Sequence, residues 1–321
     1  MSKSTKIWLI TAASLIVLGC MIFVGGMIMA KWDFSKLVTS KNETNTYEIT
    51  DAFKNISIKT DTADIKFVLS DDGTCKVVCF EEKNDKHEAT VVDDTLTINR
   101  VCTKRWYQHI GINIKTPKVT IYLPETEYEA LTIKESTGDV DIAKDFTFGS
   151  IDISLSTGDV KNYASASGLV KIKASTGDID IENVSANAFD LAVSTGNINV
   201  KIAECKGDMS VKVSTGKAKL CDVSCGNVIS TGSTGDITLE NVVAEGYFNI
   251  SRSTGDVTIK KCDASELFVK TDTGDVNGSL LSDKIFFAET DTGSVNVPKS
   301  VTGGRCEIKT DTGDIRFEIE R

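Results

Sequence analysis

The pentapeptide Ser-Thr-Gly-Asp-Val occupies residues 136–140 and returns at 156–160. It recurs as STGDI at 175, STGNI at 194, STGKA at 214, STGDI at 233 and STGDV at 253, then as DTGDV at 272, DTGSV at 291 and DTGDI at 311. Ten glycines carry this beat: Gly138, Gly158, Gly177, Gly196, Gly216, Gly235, Gly255, Gly274, Gly293 and Gly313, at intervals of 19 or 20 residues. A fixed period of this length marks a stacked repeat, whose core grows by adding coils. The 321 residues therefore do not have to divide into several globular domains.

Hydrophobicity alternates inside each repeat. Two and four residues after the glycine stand pairs such as Val140 and Ile142, Ile179 and Ile181, or Val257 and Ile259, with Asp141, Asp180 or Lys219 at the intervening position. Seven and five residues before it stand Val170 and Ile172, Phe189 and Leu191, or Leu267 and Val269. A third small pair stands seven and nine residues after it, as in Val184 with Ala186 and Val242 with Ala244. Period-two alternation predicts strands with one buried face. The fold class is thus all-β: a parallel β-solenoid of about ten regular 19–20-residue coils plus degenerate N-terminal coils or a cap, with one N-terminal transmembrane helix. At ~4.8 Å per coil the regular part is a rod of roughly 50 Å.

The Thr-Gly pair reads as a corner. Glycine supplies a backbone angle that a side chain forbids. The threonine shares the parity of the buried positions, so it is expected to point inward and bond along the column. The preceding Ser or Asp bonds its own backbone, and Asp139 and its counterparts face water.

Residues 7–30 contain no charge over 24 positions. That is enough to cross a bilayer as a helix and longer than the apolar core of a secretory signal. A lipoprotein signal ending at Cys20 is the alternative, weakened by the apolar run that continues past it. The divisions expected are a cytoplasmic 1–6, an anchor 7–30, a stem or linker 31–47, an irregular cap with degenerate first coils 48–130, and the regular solenoid 131–321. Within the cap, Ala63 takes the place of a corner glycine, Asp93-Asp94 marks a hairpin turn, and RWYQHIG from Arg105 reads as a capping loop. The closing IRFEIER alternates charge and is expected to guard the last edge against end-to-end pairing.

Lys3 and Lys6 precede the span and Lys31 and Lys36 come after it, so charge flanks barely set the orientation. A short cationic N-terminus before a long apolar run favours export of the C-terminal repeats. From Trp32 onward there are 33 basic and 46 acidic residues, a net charge of −13. Such a surface repels nucleic acid.

Nine cysteines in an exported chain invite a disulfide reading. Cys205, Cys225, Cys262 and Cys306 instead fall in core slots of the repeat, and Cys221 falls in a surface slot. Cys205 and Cys225 are the best-placed pair, while Cys75 and Cys79 share one strand face. His87 and His109 are the only histidines. No zinc spacing, nucleophile elbow, phosphate loop or dinucleotide fingerprint is present. The corner aspartates read as solvated turn residues. The switch from Ser to Asp at Asp272, Asp291 and Asp311 leaves weak calcium binding as the competing reading. No catalytic, cofactor-binding or metal residue is assigned.

One span, a short stem and the STGDV/DTGDI coils resemble the bacterial putative-adhesin β-strand-repeat family, a domain of unknown function. Its relatives include LiaG-like membrane-anchored proteins encoded beside a cell-envelope stress two-component system. The resemblance covers roughly residues 48–321 and implies the solenoid architecture; it brings no catalytic residues. The reading is a non-enzymatic protein of the cell membrane, its repeat domain on the extracellular face. It acts as an adhesin or envelope stress-response accessory by binding or scaffolding, without a cofactor. Its expected partners are envelope proteins or surface glycans, and the chain is expected to be a monomer. The alternatives are a parallel β-helix enzyme acting on polysaccharide and an envelope scaffold that polymerises end to end.

Overall fold

The computed structural model describes residues 2–29, 31–33, 41–104 and 115–320. Helix α1 spans Lys3–Met29, and its most apolar window, of mean hydropathy 2.5, packs against none of the other described residues. Its length, about 40 Å at 1.5 Å per residue, exceeds a hydrocarbon core. The RWYQHIG segment, with His109, lies outside the described residues.

Nine strands build the first coils and their cap: β1 (Asn42–Ile49), β2 (Asn55–Lys59), β3 (Asp64–Leu69), β4 (Cys75–Glu82), β5 (Asp85–Val92), β6 (Thr95–Cys102), β7 (Lys118–Leu123), β8 (Glu127–Thr137) and β9 (Val140–Ile142). β2 and β3 form the coil centred on Ala63 and stack in parallel on β8 and β9. β6 and β7 form one more coil on the other side of β2 and β3. Antiparallel strands then close the end, β5 on β6 and β4 on β7, with β1 along the outer side of β4. Asp93 and Asp94 take φ of 48° and 59°, the left-handed pair of a tight hairpin turn. Strand β1 begins at Asn42, so the span between helix and sheet is shorter than a 31–47 stem.

Between Gly177 and Gly255 the coils repeat one path, and the coils on either side vary it. The strand before the corner pairs with its equivalent one coil on, as Val170 with Phe189 and Ile172 with Leu191. The strand after it does the same, as Ile179 with Ile198. A second bend comes six residues after the glycine, where Asn183, Ile202, Asp222, Asn241 and Lys261 have φ of 52–56°. A third bend precedes the next strand, giving a three-sided coil. The alternating apolar residues fill one continuous interior, with Cys205, Cys225, Cys262 and Cys306 in it as the repeat register requires. Cys221 is half-buried, and every described cysteine is a free thiol.

The corner departs from expectation. Thr157, Thr176, Thr195, Thr215, Thr234 and Thr254 are exposed rather than inward. The chain bulges before the glycine, so the residue three before it fills the interior. In three coils that residue is itself a threonine. The hydroxyls of Thr271, Thr310 and Thr290 donate to the carbonyls of Gly255, Gly274 and Gly313 at 3.2, 3.1 and 2.9 Å. The residue after the glycine also has a structural task. The backbone N–H of Asp159 donates to the Asp139 carboxylate at 2.9 Å, and Asp178 N–H to Asp159 at 2.8 Å. These carboxylates form a ladder in which each rung satisfies the next coil's backbone.

Glycine at the corner has two causes. At Gly177 φ is 134°, and a Cβ there would lie 2.0 Å from the Gly158 carbonyl oxygen. Ala63 stands at the equivalent position without a positive φ, its methyl fully buried.

The coils do not all stack in chain order. Residues 304–312 pair with 266–273 on one side and 284–292 on the other. The final strands are therefore inserted, and the coil of Gly293 is the outermost. IRFEIER does not guard the end; the strand Lys284–Thr292 does. Ser294 fits this order. It donates its N–H to Asp314 at 2.8 Å, and as the last rung it has no further coil to serve.

Candidate functional site

A charged chamber at the foot of the corner column

The β4–β5 hairpin turns just beneath the corner column. Past the Glu82–Asp85 pairing the two strands separate, β4 to the sheet of β7 and β5 to the sheet of β6. These departures open a chamber of about 370 Å³, lined by Glu82, Asp85, His87, Arg100, Lys104 and the Thr62–Thr137 corner, among others.

Ion pairs organise its rim. Arg100 grips Asp85 with two nitrogens, Nε at 2.6 Å and Nη2 at 2.8 Å, and reaches Asp61 with Nη1 at 2.7 Å. Lys104 lies 2.7 Å from Glu82 and 3.0 Å from Asp85. Burial alone would raise the Asp85 carboxyl, but hydrogen bonds from Arg100 and Lys104 overcome it and hold it at about 2.

Behind the rim is a buried polar network. Glu81 and His87 are 1% and 3% exposed. His87 Nδ1 lies 2.9 Å from Glu81 Oε2, which also accepts the His87 backbone N–H at 2.6 Å. Asn45 Nδ2 donates to the other Glu81 oxygen at 2.7 Å, and Thr60 Oγ1 lies 2.7 Å from His87 Nε2. Cys79, two residues before Glu81 on the same inward face of β4, places its sulfur within 4.8 Å of both groups. Burial and the Glu81 charge push its thiol up to about 12.

Glu135 stands in the coil next to Thr60. Its Oε1 accepts the Ala63 N–H at 2.9 Å, and its Oε2 is buried without a partner among the described residues. Burial pushes its carboxyl up to about 8, against the lowering effect of that hydrogen bond, and the Asp64, Asp139 and Asp61 charges add to the rise.

A second, shallower feature lies on the flank after the corner. A groove of about 490 Å³ runs over four coils, lined by Lys161, Tyr163, Glu182, Asn199, Lys201 and Lys219 among others. Its charges pair across coils: Lys201 Nζ lies 2.9 Å from Glu182, and Asn199 donates to Asp180 at 2.9 Å.

The sequence expectation placed no functional residue in either feature. His87 and Cys79 lie eight positions apart on strands that diverge, so no motif spacing joins them. One signal was legible: Glu81 is an acid on the buried parity of a strand whose other inward residues are Cys75, Val77 and Cys79. Asp272, Asp311 and Asp291 line up in that spatial order. Among the described residues they do not gather into a cluster fit for an ion.

The Toastrack DUF4097 family model matches residues 53–220 and 200–321. The chain belongs to that family. The matched segments include most of the cap, the chamber rim and every coil of the Toastrack solenoid. Solved structures of similar coverage include a "putative adhesin" from Bacteroides fragilis NCTC 9343, 18% identical, covering 87% of this chain and 97% of that one with a TM-score of 0.40. Another "putative adhesin", from Parabacteroides merdae ATCC 43184, is 12% identical over 88% and 98% with a TM-score of 0.44. A "putative lipid binding protein" from Parabacteroides distasonis ATCC 8503 is 10% identical over 87% and 98%, with a TM-score of 0.35. Such distant likenesses carry no weight in the functional argument. No curated protein matches the chain.

Proposed function

We propose that this Toastrack protein is a non-enzymatic, membrane-anchored surface solenoid that binds or organises components of the cell envelope. The supporting observation is the contrast between its two parts. Helix α1 presents Ile7, Trp8, Ile10 and Ile22 at 64%, 72%, 67% and 68% exposure, a surface no water-facing helix sustains. The solenoid instead turns most of its apolar residues inward and carries ion pairs such as Lys201–Glu182 and Lys171–Asp152 on its flanks. A bilayer is the environment that covers the first and leaves the second free.

The mode of action is binding along the flank. The groove beside Tyr163 offers an aromatic face, amides and paired charges, a lining suited to a glycan or an extended peptide. The acidic net charge disfavours anionic polymers. The rim carboxylates Asp85 and Asp61 are engaged by Arg100, so they are poorly placed for acid–base catalysis on a sugar.

In-cell crosslinking of the full chain, followed by mass spectrometry, tests this reading. The expected result is recurrent recovery of envelope proteins or wall glycans, reduced when Tyr163 and Asn199 are both replaced by alanine. Recovery no different from that of an anchor-only control would overturn it.

A further inference from the structure

We propose that Cys79, Glu81 and His87 constitute a binding site for one divalent transition-metal ion of the zinc class. Three donors of different chemistry, a thiol sulfur, a carboxylate oxygen and an imidazole nitrogen, have ligand atoms within 4.8 Å of one another. All three residues are buried, at 0%, 1% and 3% exposure. This donor set is that of zinc sites, and the sulfur disfavours hard ions such as calcium or magnesium.

The surroundings hold the donors as a metal site requires. Ligating histidines commonly donate their second ring N–H to a neighbour, which fixes the ring and frees the other nitrogen. Thr60 Oγ1 is that neighbour, 2.7 Å from Nε2, and the free nitrogen Nδ1 then faces Glu81 Oε2 at 2.9 Å. In that tautomer two lone pairs oppose each other, and a cation between them removes the repulsion. Asn45 holds the remaining Glu81 oxygen at 2.7 Å, so the carboxylate is aimed as well. Cys79 and Glu81 are fixed on β4, which is flanked by β1 and β7.

Charge and access are both met. A thiolate and a carboxylate neutralise a divalent ion, so the loaded site carries no net charge in the interior. The Cys79 proton leaves to solvent as the sulfur binds. His87 is itself part of the wall of the 370 Å³ chamber, the side from which an ion would reach the site. This inference is independent of the proposed envelope role.

The test uses the full chain in detergent micelles, with Cys102 and Cys221 changed to serine to remove the more exposed solenoid thiols. It is stripped with chelator and titrated with Co²⁺ as the spectroscopic probe. The expected result is about one equivalent bound, with a thiolate-to-cobalt charge-transfer band that Zn²⁺ abolishes. Cys79→Ser should eliminate the band, and Thr60→Val should weaken affinity about 10–100-fold. If Cys79→Ser does not fold, His87→Gln replaces it and must weaken Co²⁺ binding at least as strongly. A starting protein with no charge-transfer band, or a folded Cys79→Ser protein that keeps it, overturns the proposal.

Discussion

The Asp178 carboxylate accepts the backbone N–H of Asn197 at 2.7 Å, one coil along the rod, and the Asn197 side-chain amide at 3.0 Å. Asn197 passes the arrangement on, its Oδ1 accepting the Lys217 N–H at 3.0 Å. The repeated Asp of STGD is thus an acceptor for the next coil's backbone. Replacing Asp178 with Ala leaves that N–H to compete for water and should cost about 1 kcal/mol. Asp178→Asn keeps the acceptor and should cost roughly 0.5 kcal/mol or less, as the natural asparagine rung implies. Urea-unfolding midpoints of the two variants check this. Equal losses would show that charge, rather than the acceptor, matters.

The two kinds of corner residue should respond to very different degrees. Gly177→Ala places a methyl 2.0 Å from the Gly158 oxygen at φ 134°, and should destabilise by roughly 3 kcal/mol or more. Ala63→Gly meets no clash and should cost only about 0.5–1 kcal/mol through chain entropy. Thermal melts of both variants distinguish a steric corner from a merely permissive one.

Ile202 sits at φ 54° in the second bend, where the other coils have Asn183, Asp222, Asn241 and Lys261. A β-branched residue is costly in the left-handed region. Its side chain is 44% exposed, so little packing offsets the strain. Ile202→Asn should raise stability by about 1 kcal/mol. A lower unfolding midpoint would mean that the side chain packs more strongly than its exposure suggests.

Glu135 makes stability depend on pH. Its carboxyl titrates at about 8 in the folded chain against an ordinary value of 4.5, because burial penalises the charge. The folded state then holds a proton that the unfolded state has lost between those values, so stability falls as pH rises from 4.5 towards 8. The slope approaches roughly 1.4 kcal/mol per pH unit at most. Glu135→Gln should flatten the profile of melting temperature against pH across that window. An unchanged slope would place the dependence elsewhere.

The regular coils were legible because a solenoid repeats its chemistry with its geometry. Gly138 to Gly313 set the register, and the alternation around them identified the buried faces, including the core placement of Cys205, Cys225, Cys262 and Cys306. Ala63 was readable as a corner and Asp93-Asp94 as a turn for the same reason. Parity failed at Thr157 and its counterparts because the bulge before the glycine shifts which residue faces inward. The inserted final strands were not readable, since equivalent coils can exchange places without changing any local pattern. Ser294 at a rung otherwise filled mostly by Asp was the trace they left. The chamber was hidden for another reason. It forms where β4 and β5 leave the repeat, and only the inward acid Glu81 hinted at it.

The central claim is that α1 holds the solenoid at a membrane with its coils outside the cytoplasm. Labelling with a membrane-impermeant maleimide, on cells stripped to an intact cytoplasmic membrane, tests it most directly. Cys102 is exposed and Cys221 half-buried, so both should be modified without lysis, on protein that sediments with the membrane fraction. Modification only after the membrane is broken, or protein found in the soluble fraction, would contradict the account.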